Sequence, residues 1–216
     1  MKLNPTKGNM YSFITHTANA VKGRCPHDCM YCYMKRWGGL RDVRLDEKEL
    51  KIPMSGGNFI FVGSSCDMFA ADIPRAWIQR TLDHCRQFKN RYLFQSKNPR
   101  GMTGYLYGLD AVVCTTIETN RWYSDIMRNS PTPSQRASAM ARLSHEKYVT
   151  IEPILDFDLP DLINLIEMCN PVQVNIGADS SNNHLPEPSR DKVMELIAAL
   201  KEFTVISQKR NLGRLL

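Results

Sequence analysis

Short apolar runs recur along the chain and alternate with amphipathic stretches. Each run is nearly unbroken in apolarity and is bounded by Gly, Asn, Asp or Pro, a pattern typical of strands that are buried on both faces of a sheet. The runs that predict strands are residues 11–15, 58–62, 92–95, 111–117, 148–154, 172–176 and 204–206.

The stretches between these runs predict helices, because their apolar residues return every three or four positions. The predicted helices begin near Pro74, Pro133, Pro160 and Ser189, and Thr132 before Pro133 is a typical cap ahead of a first-turn proline. Strands and helices in alternation favour a parallel sheet with covering helices. We count about six βα units and a final strand, fewer than the eight of a closed barrel. We therefore predict an α/β fold, a partial and open βα barrel, in a single domain of residues 1–216.

The composition places the chain among soluble globular proteins. Of its 216 residues, 43% are hydrophobic and 23% are charged. It has no apolar run long enough to span a membrane, and its first residues lack the apolar segment of a signal peptide. We expect a cytoplasmic protein with reduced thiols. The net charge of +6 permits an anionic partner such as nucleic acid.

Three of the seven cysteines lie within eight residues, as Cys25, Cys29 and Cys32. An odd number of cysteines with such a cluster does not suit a disulfide framework. Three thiolates on a short loop can bind three irons of a [4Fe–4S] cluster, leaving the fourth iron open to a small molecule. Two alternatives remain open: a zinc site with His27 as a fourth ligand, and thiols without a metal.

The segment around these cysteines, Gly-Arg-Cys-Pro-His-Asp-Cys-Met-Tyr-Cys-Tyr at residues 23–33, resembles the signature of radical S-adenosylmethionine (SAM) enzymes. The fold of that family is a partial βα barrel. The resemblance implies that SAM binds the open iron and that Tyr31 and Tyr33 belong to the cofactor site. It also implies a flavodoxin- or ferredoxin-type one-electron reductant. Reductive cleavage of SAM then yields a 5′-deoxyadenosyl radical, which abstracts hydrogen from the substrate.

A second motif follows the predicted strand 58–62, where family members bind the SAM amino group. Here Ser64, Ser65, Cys66 and Asp67 replace the commoner Gly-Gly-Glu. This form is similar to that of the spore photoproduct lyase-like branch and of phage-associated radical SAM proteins of unknown function. The resemblance implies that Ser64, Ser65 and Asp67 bind SAM, whereas without it the serines could simply turn the chain. The lyase resemblance also suggests that Cys66 returns a hydrogen atom to the product radical; the alternative is a small buried residue.

Further polar residues follow the other predicted strands, at the face where βα barrels assemble their sites. By resemblance, the SAM ribose or carboxylate meets Ser96, Lys97, Glu118 and Asn120. Catalytic contacts with the substrate are expected from Glu152, Asp179 and Lys209. Asn120 and Asp179 could equally be helix caps, a role for which glutamate is not preferred.

The basic charge, the compact size and the lyase resemblance favour a nucleotide or DNA substrate. Our specific hypothesis is the rearrangement or modification of a hypermodified thymidine in phage DNA. Two alternatives stay open: a radical SAM enzyme that acts on a peptide or small metabolite, and a zinc-stabilised nucleic-acid-binding module without catalysis. The sequence indicates no oligomeric state.

Overall fold

An open sheet of eight strands organises the part of the chain that the computed structural model describes, residues 3–6 and 8–216, with Trp37 described by its backbone only. The strands of this sheet lie in the order β1-β2-β5-β6-β7-β8-β9-β10, and a separate ribbon pairs β3 with β4. β1 is antiparallel to β2, and every other neighbouring pair in the large sheet is parallel. The strands are β1 Asn4–Pro5, β2 His16–Ala18, β3 Val21–Lys22, β4 Arg44–Leu45, β5 Phe59–Val62, β6 Arg91–Gln95, β7 Asp110–Thr116, β8 Glu146–Ile151, β9 Gln173–Ile176 and β10 Val205–Gln208.

Helices cover one face of this sheet. They are α1 Arg75–Arg86, α3 Pro133–Ala141, α4 Leu159–Cys169 and α5 Arg190–Lys201, while the short α2 Ser124–Met127 packs in a separate cluster with Met30 and Tyr31. Side chains alternate across a strand, so Ile60 and Val62 pack into the main core with the helices, while Phe59 and Phe61 face the opposite, concave side. The helix starts follow the predicted caps: Thr132 accepts a hydrogen bond from the backbone N–H of Gln135 and completes a capping box.

The concave side is filled by a loop of residues 8–15. Before this loop, the Thr6 N–H donates to the Thr15 carbonyl at 3.1 Å. Tyr11 and Ile14 are buried against Phe61, with the Phe13 ring stacked on Tyr11 at 5.3 Å. The predicted strand at 11–15 is therefore wrong. Its apolar side chains are buried by packing into the barrel, and strand pairing begins at residue 16.

The other predicted strands overlap β5 to β10, and with β2 they make seven parallel strands. The sheet runs from an edge at β1 to an edge at β10, so it does not close. The predicted partial βα barrel is confirmed. Among residues 3–6 and 8–216, none of the helices combines the length and apolarity needed to cross a bilayer.

Candidate active site

A pocket of about 950 Å³ opens at the carboxyl ends of the parallel strands. Twelve of the residues singled out in the sequence line it: Cys25, Cys29, Tyr31, Cys32, Tyr33, Ser64, Asp67, Ser96, Lys97, Glu152, Asp179 and Lys209. Ser65, Cys66, Glu118 and Asn120 are outside its lining. The sheet thus brings segments that are far apart in sequence to one cavity, as the carboxyl ends of parallel strands do in βα barrels.

The cysteine loop is fixed by the segment around α2. The backbone N–H of Met30 donates to the Ile126 carbonyl at 2.8 Å, and the N–H of Asn129 donates to the His27 carbonyl at 3.2 Å. Asp28 forms ion pairs with Lys35 at 2.7 Å and with Arg128. Cys29 is buried and the other two cysteines of the loop are partly exposed, all three as free thiols. The loop is thus held by its backbone and by the Asp28 ion pairs, and the Cys29 thiol donates to the Met127 carbonyl at 3.8 Å.

Asp67 joins the cysteine loop to the ends of β5 and β6. Its Oδ2 accepts from His27 Nε2 at 2.9 Å, from Ser96 Oγ at 2.9 Å and from the Lys97 N–H at 2.8 Å, while Oδ1 accepts from the Phe69 N–H at 3.0 Å. Burial raises the pKa of Asp67, but the His27 and Ser96 contacts and the Lys97 N–H outweigh burial and hold it below its usual range. Both oxygens are thus occupied by protein donors, which makes Asp67 a positioning group in this structure.

The two serines before Asp67 form a turn after β5 that begins at Gly63, whose φ is +83°. Asn19 holds this turn: its Oδ1 accepts from Ser64 Oγ at 3.1 Å and from the Ser65 N–H at 2.9 Å. The Tyr33 hydroxyl donates to the Ser64 carbonyl at 2.8 Å and ties the turn to the cysteine loop. The Ser65 hydroxyl is buried, and within the described part of the chain no group hydrogen-bonds to it. The turn therefore keeps hydrogen-bonding capacity beside the pocket.

Cys66 lies behind the cysteine loop, only 3% exposed. Interaction between the two thiols lowers the pKa of Cys25, and the same interaction together with burial raises the pKa of Cys66. The role of Cys66 as hydrogen-atom donor stays a prediction, and the structure places this thiol against a cysteine of the loop.

Glu118 is the centre of a buried ionic network under the cysteine loop. It is 0% exposed and pairs with Arg136 at 2.6 Å, which is also 0% exposed, and with Lys97 at 3.1 Å. The Tyr31 hydroxyl donates to Glu118, and the Lys97 ammonium lies 5.2 Å from the centre of the Tyr31 ring. Burial raises the pKa of Glu118, but the charges of Arg136 and Lys97 outweigh burial and lower it to about 2. Glu118 thus reaches the pocket through Tyr31 and Lys97.

Arg136 was missed in the sequence. Its guanidinium also donates to the carbonyls of Thr116 and Pro131 and to Ser130 Oγ, so every nitrogen has a partner. A signal was available: Arg136 shares the buried face of α3 with Pro133 and Met140, three positions before it and four after. A charged residue within an apolar stripe is almost never fully buried unless it is paired.

A second pair of charges stands at the β8–β10 side of the pocket. Lys209 Nζ lies 2.7 Å from Glu152 Oε2, and the two side chains are 10% and 16% exposed. Glu152 Oε1 accepts from Asn9 Nδ2 at 3.1 Å and Asn211 Nδ2 at 3.3 Å. The Lys209 ammonium also lies 4.6 Å from the centre of the Tyr11 ring. Gly177 leaves room for this arrangement, since a Cβ there would stand 2.8 Å from Glu152 Oε1.

The remaining predicted residues bind their own loops. The Asp179 carboxylate lines the pocket but accepts from the Ser181 N–H at 3.0 Å and from both the N–H and the amide of Asn183. The Asn120 side chain accepts from the Asp158 N–H at 2.9 Å, at the start of α4. Asp179 thus orders its own turn, and Asn120 binds Asp158, the N-cap residue of α4, so neither residue has the helix-cap role that the sequence left open.

The cysteine loop suits an iron–sulfur cluster better than a single zinc ion. In the described residues, no three His, Cys, Asp or Glu side chains come close enough together to surround one metal ion. Tetrahedral zinc needs its ligands at about 2.0–2.3 Å, whereas a four-iron cluster meets each thiolate through a different iron and keeps the sulfurs further apart. The soft thiol donors, the fixed loop backbone and the adjoining pocket fit a cluster with a small-molecule ligand.

Comparison with known proteins gives structural likenesses only. No family model and no curated protein matches the sequence. Among solved structures, the fold is similar to a spore photoproduct lyase double mutant with bound AdoMet and dinucleoside spore photoproduct, with a TM-score of 0.64 at 9% identity over 94% of this chain and 80% of the other. It is also similar to spore photoproduct lyase complexed with dinucleoside spore photoproduct, with a TM-score of 0.63 at 8% identity and the same coverage. The chain has the fold of spore photoproduct lyase.

Proposed function

We propose that this protein is a radical SAM enzyme that acts on a nucleobase of DNA. The observation that carries the proposal is the position of Cys25, Cys29 and Cys32, which open onto a pocket of about 950 Å³ at the carboxyl ends of a partial βα barrel. The likeness in fold to spore photoproduct lyase supports a DNA-derived substrate, because the solved lyase binds a dinucleoside. The net charge of +6 suits a polyanion.

The three thiolates would hold a [4Fe–4S] cluster, with SAM at its open iron. When bound and reduced by a flavodoxin- or ferredoxin-type protein, this pair supplies a 5′-deoxyadenosyl radical for hydrogen abstraction. Lys97 lines the pocket with an ammonium that Glu118 orients, and we assign it to the SAM carboxylate. Ser64 and Ser65 are assigned to the SAM amino group. Asp67 holds this turn to the cysteine loop.

Other contacts in the pocket follow from the same arrangement. Tyr33 fixes the edge of the cofactor site through the Ser64 carbonyl. Ser96 holds Asp67, and Glu118 holds Tyr31. Glu152 and Lys209 face the substrate, and Asp179 shapes the loop beside them. The net reaction that we propose is rearrangement or modification of a pyrimidine, with a hypermodified thymidine of phage DNA as the specific candidate.

Anaerobic reconstitution with iron and sulfide tests the chemistry. We expect a brown protein that forms 5′-deoxyadenosine from SAM when a strong reductant is added. Replacing any one of Cys25, Cys29 or Cys32 by Ala should abolish both the colour and the product. Cys169→Ala is the control, since Cys169 is a free cysteine buried in α4. A colourless protein with stoichiometric zinc and no 5′-deoxyadenosine would contradict the proposal and favour the zinc-stabilised binding module.

Mass spectrometry of nucleosides tests the substrate. DNA carrying modified pyrimidines is incubated with the reconstituted protein, SAM and reductant, and then digested to nucleosides. We expect one nucleoside to change in mass or retention time only when SAM is present. Unchanged nucleosides together with a modified peptide or metabolite would replace the nucleobase proposal by the alternative substrate class.

A further inference from the structure

The Glu152–Lys209 pair has hydrogen-bonding capacity that the described residues do not use. Lys209 carries three N–H groups: one meets Glu152, and the ammonium lies against the face of the Tyr11 ring. Glu152 Oε1 accepts from two amides, but Oε2 accepts only from Lys209 among residues 3–6 and 8–216. One donor and one acceptor are therefore left side by side in the pocket lining.

The geometry around the pair keeps this donor and acceptor in place. Asn9 comes from the loop that fills the barrel and Asn211 from the segment after β10, and both bind the same oxygen of Glu152. Asn211 Nδ2 also donates to the Ala178 carbonyl at 2.5 Å and to Ser180 Oγ at 2.9 Å, so its contact with Glu152 at 3.3 Å shares one of its two N–H groups. The amide hydrogens hold the carboxylate on one side and Lys209 holds it on the other. Such restraint is typical of a binding surface that is formed before its ligand arrives.

The charge of the pair selects the chemistry of the ligand. Glu152 and Lys209 neutralise each other at low exposure, so a ligand with a single net charge would find no counter-charge there unless the pair separates. A neutral ligand that presents a carbonyl beside an N–H satisfies both free groups and leaves the pair intact. Thymine and uracil carry this arrangement at their N3–H and adjacent carbonyl.

We infer that Glu152 and Lys209, held by Asn9 and Asn211, bind the N3–H and an adjacent carbonyl of a thymine- or uracil-type base. This inference rests on the proposed function and names the recognised edge of its substrate. The same edge pairs with adenine in duplex DNA. The base must therefore enter the pocket unpaired, from a single strand or flipped out of the helix.

Binding of short single-stranded oligonucleotides tests the inference without turnover. The reconstituted protein with SAM, and no reductant, is titrated with a labelled oligonucleotide that has one central thymine, and with the same strand carrying N3-methylthymine. The methyl group removes the N–H and occupies its place. We expect the methylated strand to bind about tenfold more weakly or worse.

Variants of the pair test whether Glu152 and Lys209 cause the preference for unmethylated thymine. Glu152→Gln and Lys209→Met should bind the two strands with nearly equal, reduced affinity. The matched control is Glu146→Gln, which breaks the ion pair of Glu146 with Arg91, 2.6 Å apart and at the amino ends of β6 and β8. This variant should keep the full preference for unmethylated thymine.

Equal binding of the two strands by the unaltered protein, or no binding of either, overturns the inference. If that protein still forms 5′-deoxyadenosine, the proposed radical chemistry stands and only the recognised edge is wrong. Absence of 5′-deoxyadenosine from the reconstituted protein overturns the proposed function instead. Because the comparison of the two strands needs no variant, a variant that fails to fold does not obscure the result.

Discussion

Glu118 and Glu152 follow neighbouring strands, β7 and β8, and each pairs with a lysine of the pocket lining, yet they lie in contrasting surroundings. Glu118 is 0% exposed and also meets Arg136 and the Tyr31 hydroxyl. The Glu152 side chain is 16% exposed and is completed by two amides. Glu118 lies beneath the pocket and outside its lining, whereas Glu152 and Lys209 both line the pocket, where their free donor and acceptor are open to a ligand.

This difference shows that glutamates at one edge of the sheet can have two roles, one in stabilising the site and one in binding a ligand. A fully buried carboxylate that is paired with two cations costs much to disturb, and it acts on the pocket by fixing Tyr31 and Lys97. A partly exposed pair with unused hydrogen bonds costs less to disturb and can accept a ligand. Stability measurements on matched variants are therefore able to separate the two tasks before any substrate is known.

Arg136→Met is expected to have the largest effect on stability. It removes a cation from a wholly buried carboxylate and leaves three oxygen acceptors, besides Glu118, without their donor. Breaking a buried pair in this way costs about 3–5 kcal/mol of unfolding free energy. Urea denaturation of the apo protein followed by circular dichroism measures it.

Lys209→Met is the comparison variant. Glu152 keeps its hydrogen bonds from the Asn9 and Asn211 amides and stays in contact with the pocket. The variant should therefore lose about 1 kcal/mol of unfolding free energy. Arg91→Met, at an ion pair whose side chains are 37% and 39% exposed, should cost no more than about 1 kcal/mol. Equal losses of unfolding free energy for Arg136→Met and Lys209→Met would contradict the proposed difference between the Glu118 and Glu152 networks.

The pH dependence of the unfolding free energy tests the contribution of the buried Glu118 network to stability. Burial is outweighed by Arg136 and Lys97, which lower the pKa of Glu118 to about 2 from the ordinary value of 4.5. A depressed pKa contributes stability above the unfolded value, so this contribution is lost as pH falls from about 4.5 towards 2. The original protein should therefore lose more unfolding free energy over this interval than Glu118→Gln.

Denaturation midpoints at a series of pH values between 5 and 2 measure this difference. Glu146→Gln serves as the control, since Glu146 is a partly exposed carboxylate in a surface ion pair. Its pH profile should follow that of the original protein. Parallel profiles for the original protein and Glu118→Gln would show that Glu118 does not titrate with folding.

The sequence predicts the strands of this fold better than it predicts what covers them. β5 to β9 are mostly buried on both faces and leave a nearly unbroken apolar pattern, whereas the edge strand β10 is partly exposed. Residues 11–15 have the same local pattern, but their apolar side chains fill the concave side of the barrel. A run of apolar residues predicts burial. It does not predict whether the run is buried as a paired strand or as a loop in the barrel interior.

The sequence likewise predicts some parts of the site and not others. The thiols and most residues at strand ends could be placed in one pocket, because parallel strands bring their carboxyl ends together. Asn9 could not, since it lies 143 residues from Glu152 and no local pattern couples them. The sequence also does not distinguish a glutamate in the pocket wall from one beneath it. That distinction depends on Arg136, which a helix on the other face of the sheet supplies.

Asn120 should have the smallest effect, and it tests whether lack of free hydrogen bonds marks a residue without a ligand. It follows Glu118 by two positions, and its side-chain oxygen and amide both bind Asp158, at 2.9 and 3.1 Å. Asn120→Ala should cost about 1 kcal/mol or less by loosening the start of α4. Formation of 5′-deoxyadenosine and the KM for SAM should be unchanged. A large rise in that KM, with stability unaltered, would return Asn120 to the cofactor site and show that occupied hydrogen bonds at this edge of the sheet can be exchanged for a ligand.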